Sequence, residues 1–168
     1  DEIKLSFSKS LFTWSLSSAW VFITTSSALA SITSLEEKGP DIFLFSGLLI
    51  WVIGFSIEII SDRQKTAFRS INSNSNKFIS SGLWSISRHP NYLGEILLWV
   101  GILIIALPTL VGSQLIVIIS PIFVYFLLTR VSGINLLEDI ADKRWGELNE
   151  YRQYKKDVPA LFPFTHWF

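Results

Sequence analysis

Three stretches of this 168-residue chain contain no Asp, Glu, Lys or Arg: Ser10 to Leu35, Ile42 to Ile57, and Ile96 to Thr129. The bilayer core is about 30 Å thick, so a spanning helix needs about 20 mostly apolar residues. The first stretch fits one such helix, and the second fits one that carries Glu58 near its end. The third is too long for one helix and is broken in its middle between Pro108 and Gly112. The chain therefore reads as all-α, a multi-pass transmembrane helical bundle with about four spanning helices, near residues 11–31, 42–61, 91–107 and 113–130. A soluble bundle would need polar helix faces that are missing here. The first helix is rich in Ser and Thr, whose hydroxyls bond back to their own helix or across to a neighbour.

Loop charges predict an orientation. Residues 62–90 carry Arg63, Lys65, Arg69, Lys77 and Arg88 against the single acid Asp62, and the tail carries Arg130, Lys143, Arg144, Arg152, Lys155 and Lys156 among its acids. The loop at 36–41 holds Glu36, Glu37, Lys38 and Asp41, and the loop at 107–113 holds no charge. The positive-inside rule places both basic segments in the cytoplasm. Two helices separate them, which requires the same side and makes both termini cytoplasmic. The membrane would be the endoplasmic reticulum in a eukaryote or the inner membrane in a bacterium.

The chain reads as a single membrane domain over 1–168. The 72–76 stretch is a loop by composition. Residues 62–69 are expected to continue the second helix out of the membrane, and 135–154 to form one amphipathic surface helix. Pro159 and Pro163 then forbid regular helix. Cysteine is absent, which excludes disulfides, zinc–thiolate sites and cysteine nucleophiles. The only histidines are His89 and His166, too few for a metal site without carboxylates, so no metal is expected. No signal peptide is read in residues 1–10. The missing initial methionine suggests a piece of a longer protein.

Two clusters point to chemistry. Glu58, Asp62, Lys65 and Arg69 are spaced by four, three and four, so they share one helical face. Glu58 sits in an apolar turn, where an unpaired carboxylate costs several kcal/mol, so a partner is expected. The second cluster runs from Gly82 to Glu95. Pro90 suits a first helical turn, whose free N–H groups attract anions, and Arg88 adds a phosphate donor. Asn91, Glu95 and Trp99 follow at intervals of four and line one face running into the membrane. An interfacial anchor would explain Arg88 and Trp84 but not Glu95. His89 reads as structural or phosphate-contacting. In the tail, Arg130, Trp145, Tyr151 and Tyr154 are either interfacial belt residues or the wall of a nucleotide pocket, with Arg130 paired to Glu58 or to a phosphate. The carboxylates at 58, 62 and 95 are expected to converge with arginines on a polar guest in a cavity between the second and third helices.

The runs from Ser61 to Arg69 and from Gly82 to Glu95, with Trp99-Val100-Gly101, resemble the steroid 5-alpha-reductase family. The closest likeness is to the multi-pass branch named for the C-terminal domain of 3-oxo-5-alpha-steroid 4-dehydrogenase. Arg130 to Ile134, Leu136-Leu137-Glu138 and the closing 151–163 segment match the same branch. The resemblance covers about 42–163. Arg88-His89-Pro90 with Tyr92 and Gly94 is less specific, because isoprenylcysteine and phospholipid methyltransferases look similar there.

The resemblance implies an enzyme that moves hydride from NADPH to a carbon–carbon double bond conjugated to a carbonyl, in a steroid-like or other lipid substrate. It implies cofactor contacts at Glu58, Asp62, Asn91, Glu95 and Arg130, and more weakly at Arg88, Trp145 and Tyr151. The family's substrate-polarising acid and tyrosine lie on helices earlier than any present here, so the catalytic residues are unknown. The chain resembles the cofactor-binding half, with the missing helices as its partner. No Gly-rich dinucleotide fingerprint follows a strand, so the site is not of the Rossmann kind. Two other readings stay open: a methyltransferase that uses S-adenosylmethionine on a prenylated or lipid substrate, and a non-catalytic membrane module. No nucleic-acid partner is expected.

Overall fold

The computed structural model describes residues 7–35, 39–131 and 133–163. Glu36, Glu37, Lys38 and His166 lie outside them. Among the described residues the chain is helical without strands: α1 (Phe7–Ile32), α2 (Ile42–Ser70), α3 (Pro90–Ala106), α4 (Ile119–Phe126), α5 (Ile134–Trp145) and α6 (Asn149–Asp157). Four stretches are long and apolar enough to cross a bilayer, namely Ser10–Ile32, Ile42–Ser70, Pro90–Thr109 and Gly112–Trp145. The chain is thus a multi-pass helical membrane protein.

Hydroxyls behave as their surroundings require. Thr25 in α1 and Thr33 just beyond it donate to carbonyls four residues back, which satisfies them without a partner helix. Asp41 caps α2 by accepting from the Leu44 N–H at 2.9 Å. The helix then runs unbroken through 62–69, as expected, and out past the apolar stretch.

The fourth span is not the regular helix expected at 113–130. It winds as a 3-10 turn (Gly112–Ile118), then α4, then a π turn (Leu127–Val131). Pro121 accounts for the break ahead of α4, since it has no N–H for the carbonyl of Val117, four residues back. Ser27 of α1 adds a bond to that carbonyl, its hydroxyl donating at 3.1 Å. Ser120 donates to the Thr24 carbonyl at 2.8 Å in return. These paired bonds tie α1 to α4.

Helices α2 and α3 meet backbone to backbone. Gly47 and Gly54 face Gly101 and Gly94, each set seven residues apart and so on one stripe. A Cβ at Gly54 would lie 2.6 Å from the Gly94 carbonyl oxygen, and one at Gly94 would lie 2.7 Å from the Glu58 nitrogen. Small residues permit this approach where no hydrophobic effect drives helices together.

One end of the bundle carries a cap. The expected single helix over 135–154 is instead two, α5 and α6, because Gly146 is a poor helix residue and Leu148 is extended. The Gln64 side chain accepts from the Leu83 N–H at 2.9 Å, and Trp84 Nε1 donates to the Ser61 carbonyl at 3.0 Å. Gly82, at φ +64°, makes this docking possible, since a Cβ there would strike Gln64. Beyond α6 the chain turns back to the spans, where Leu161 is buried with Leu93, Ile96 and Val124.

Candidate functional site

The cap encloses a cleft of about 200 Å³. The outer turns of α2 contribute Lys65, Phe68 and Arg69, the connector before α3 contributes Lys77 and Phe78, and α5 contributes Leu137, Ile140 and Arg144. Aromatic rings build one wall. Phe78 lies edge-on to Tyr151 at 5.1 Å and to Trp145 at 6.1 Å, and 5.3 Å from Tyr154. The wall is fixed by polar ends: Tyr154 Oη donates to the Trp84 carbonyl at 2.6 Å, and Trp145 Nε1 to the Asn76 carbonyl at 2.8 Å.

Cations stand around these rings. Lys65 Nζ sits 5.2 Å over the Trp84 ring, and the Arg144 guanidinium 5.0 Å over Trp145. Among the described residues, none of Lys65, Arg69, Lys77 and Arg144 is ion-paired with a carboxylate.

At the base of the cleft, Glu138 of α5 does have partners. It accepts from Arg88 Nε at 3.0 Å and Nη2 at 3.1 Å and from His89 Nε2 at 2.9 Å, and is ion-paired with Lys155 Nζ at 3.1 Å. Arg88 Nη1 donates to the carbonyls of Lys155, at 2.9 Å, and Val158, so the guanidinium also caps the end of α6. Burial favours the neutral phenols of Tyr151 and Tyr154 and raises both pKa values, with the charges of Glu138 and Asp142 adding to the effect at Tyr151. Burial works against the Lys155 ammonium, but its hydrogen bonds to Asp142 and Glu138 outweigh this and raise its pKa.

The predicted site residues fall into two groups, with one residue apart. Arg88, Trp145 and Tyr151 line the cleft. Glu58, Asp62 and Glu95 lie near the α2–α3 crossing, with Glu58 within electrostatic reach of both other acids and Tyr92 within reach of Glu95 and Asp62. Asn91 is half-buried one turn before Glu95. Arg130 belongs to neither group: it is exposed on the π turn, and among the described residues it makes no ion pair with Glu58.

Two expectations are therefore corrected. The cleft does not lie between α2 and α3, whose backbones touch at Gly54 and Gly94, but above them in the cap. The pairing of Arg130 with Glu58 does not form. Arg88, read as a phosphate donor, has four of its five N–H groups taken by Glu138 and backbone carbonyls. Sequence reasoning missed Lys77, Phe78 and Arg144 as lining residues, and no local spacing marks them, because the cap brings them together from separate segments. Lys65 and Arg69 share the face of Glu58 and Asp62, so acids and cleft cations form one stripe along α2.

The family model described as "Protein of unknown function (DUF1295)" matches residues 2–158, so the chain belongs to that family. No curated protein and no solved structure matches it.

Proposed function

We propose that this chain of the DUF1295 family binds NADPH across the cap cleft and the adjoining acidic stripe, and serves in reducing a conjugated double bond of a membrane lipid. One observation carries the reading: four cations without carboxylate partners among the described residues ring an aromatic-walled cleft. Such a donor set suits phosphates, and flat rings stack on the walls. S-adenosylmethionine brings a sulfonium cation, which these lysines and arginines repel; Arg144 itself is steadied by the Ser75 carbonyl and the Asn76 side-chain oxygen. A pocket that encloses a whole ligand is about 300–1,000 Å³, so the cleft takes only part of a dinucleotide. The stripe along α2 supplies a place for the rest.

NADPH supplies the hydride when bound. The chain's own part is to hold and orient it: Lys65, Arg69, Lys77 and Arg144 meet phosphate oxygens, while Glu58, Asp62 and Glu95 accept from hydroxyl or amide donors. These acids stand level with the start of α3, at the membrane boundary, where a lipid's reactive end meets a cofactor entering from the basic, cytoplasmic side. The resemblance to steroid 5-alpha-reductases supports the same chemistry.

The test is a titration of the detergent-solubilised protein with NADPH and with S-adenosylmethionine, following the fluorescence of Trp84 and Trp145. NADPH is expected to quench, and Lys65→Ala with Arg69→Ala to weaken binding about tenfold or more, since a hydrogen bond to a charged group contributes about 1.5–3 kcal/mol. Quenching by S-adenosylmethionine alone would reject the reading in favour of a methyltransferase.

A further inference from the structure

We propose that His89 is a ligand contact in the cleft, accepting a hydrogen bond from a ligand hydroxyl through Nδ1, and that Glu138 is the positioning residue that makes it an acceptor. Glu138 sits among Arg88 and Lys155, which hold it ionised, with its side chain only 15% exposed. An ionised carboxylate only accepts, so the His89 Nε2 at 2.9 Å carries a proton and donates it. That bond assigns the tautomer, and in the neutral ring it leaves a lone pair on Nδ1.

A stacking contact steadies the ring in this arrangement. It is stacked on Tyr92, with centroids 5.7 Å apart and planes 14° from parallel. Among the described residues Nδ1 has no hydrogen-bond partner, yet no buried side-chain nitrogen or oxygen there lacks one. Nδ1 is therefore open to solvent, on a side chain that lines the cleft. The nearby lining cations Lys65, Arg69, Lys77 and Arg144 are all donors. His89 supplies an acceptor among them, which suits a sugar hydroxyl next to a phosphate.

The inference deepens the nucleotide reading and rests on it for the class of ligand. Two probes separate its parts: ADP-ribose, which has a diphosphate and sugar hydroxyls, and inorganic pyrophosphate, which has no sugar. His89→Ala and Glu138→Gln are each expected to weaken ADP-ribose about tenfold, the effect of one lost hydrogen bond in a closed site. Pyrophosphate should bind His89→Ala as it binds the wild type, and Glu138→Gln at least as tightly, because a negative charge has gone. His89→Ala leaves the bonds of Glu138 to Arg88 and Lys155 intact, so it decides the matter if Glu138→Gln does not fold.

A parallel loss of both probes would mean a merely structural role and overturn the proposal. So would loss of pyrophosphate alone, which would make His89 a phosphate donor, and so would a wild type that ignores ADP-ribose. A wild type that binds ADP-ribose but neither binds nor oxidises NADPH would defeat the reductase reading and leave this one standing.

Discussion

Replacing Gly94 with alanine puts a methyl carbon 2.6 Å from the Gly54 carbonyl oxygen and 2.7 Å from the Glu58 nitrogen, where ordinary contact begins at 3.4 Å. Both obstructing atoms are backbone of the facing helix, so no rotamer change relieves them and α2 must move away from α3. Overpacking of this kind costs about 1–3 kcal/mol. Alanine's better helix propensity offsets at most about 1 kcal/mol, so the net effect is a loss of about 1–2 kcal/mol. Gly54→Ala meets the same level of the seam, at the Gly94 carbonyl oxygen and the Leu98 nitrogen. Once the helices have parted for one methyl, the second fits more easily, and the double variant should cost clearly less than the two singles together. Equilibrium unfolding in mixed micelles titrated with dodecyl sulfate, followed by helicity, measures all four species. Separation also moves Glu58 away from Glu95, so NADPH binding should weaken in the same order. A neutral or stabilising Gly94→Ala, or strictly additive costs, would refute the backbone-contact reasoning.

Arg88→Ala leaves Glu138 short of its forked partner and uncaps α6, and should lower stability by about 3 kcal/mol, the low end for a broken buried pair because Lys155 remains. Arg88→Lys should recover little, since an ammonium cannot make the fork and reach two carbonyls; a thermal-shift assay that finds Arg88→Lys as stable as the wild type would contradict this. At alkaline pH the cap should loosen. Tyr151 and Tyr154 ordinarily titrate near 10 and are raised in the folded chain, chiefly by burial. The folded state therefore keeps protons that the unfolded state gives up. Their contribution is complete below pH 10 and fades as pH rises beyond it, which a denaturation series from pH 8 to 11 would detect as a falling midpoint, absent in Tyr151→Phe with Tyr154→Phe.

The spans were legible because freedom from charge over about 20 residues is a local property, and the long gap from Ile96 to Thr129 signalled its own break. The inner winding of the fourth span was not legible. Pro121 announces a lost hydrogen bond, but only packing shows that the Val117 carbonyl meets the Ser27 hydroxyl. The tail helix was expected whole because Gly146 is one weak residue in a polar stretch; folding back let Lys155 reach Glu138 and Asp142. Likewise the anion-loving start of α3 was visible at Arg88, while the carboxylate that occupies that arginine lies 50 positions along the chain.

The helix count, the sharing of one end by both basic segments, and the common face of Glu58, Asp62, Lys65 and Arg69 follow from the order of residues alone, since hydropathy and helical periodicity act over neighbouring positions. The cleft follows from none of these. Its cations, rings and the Glu138 node come from four segments that touch only after α2 and α3 close on their glycines and the tail folds back over them. Long-range contact therefore decided which charges are paired and which stay available to a ligand.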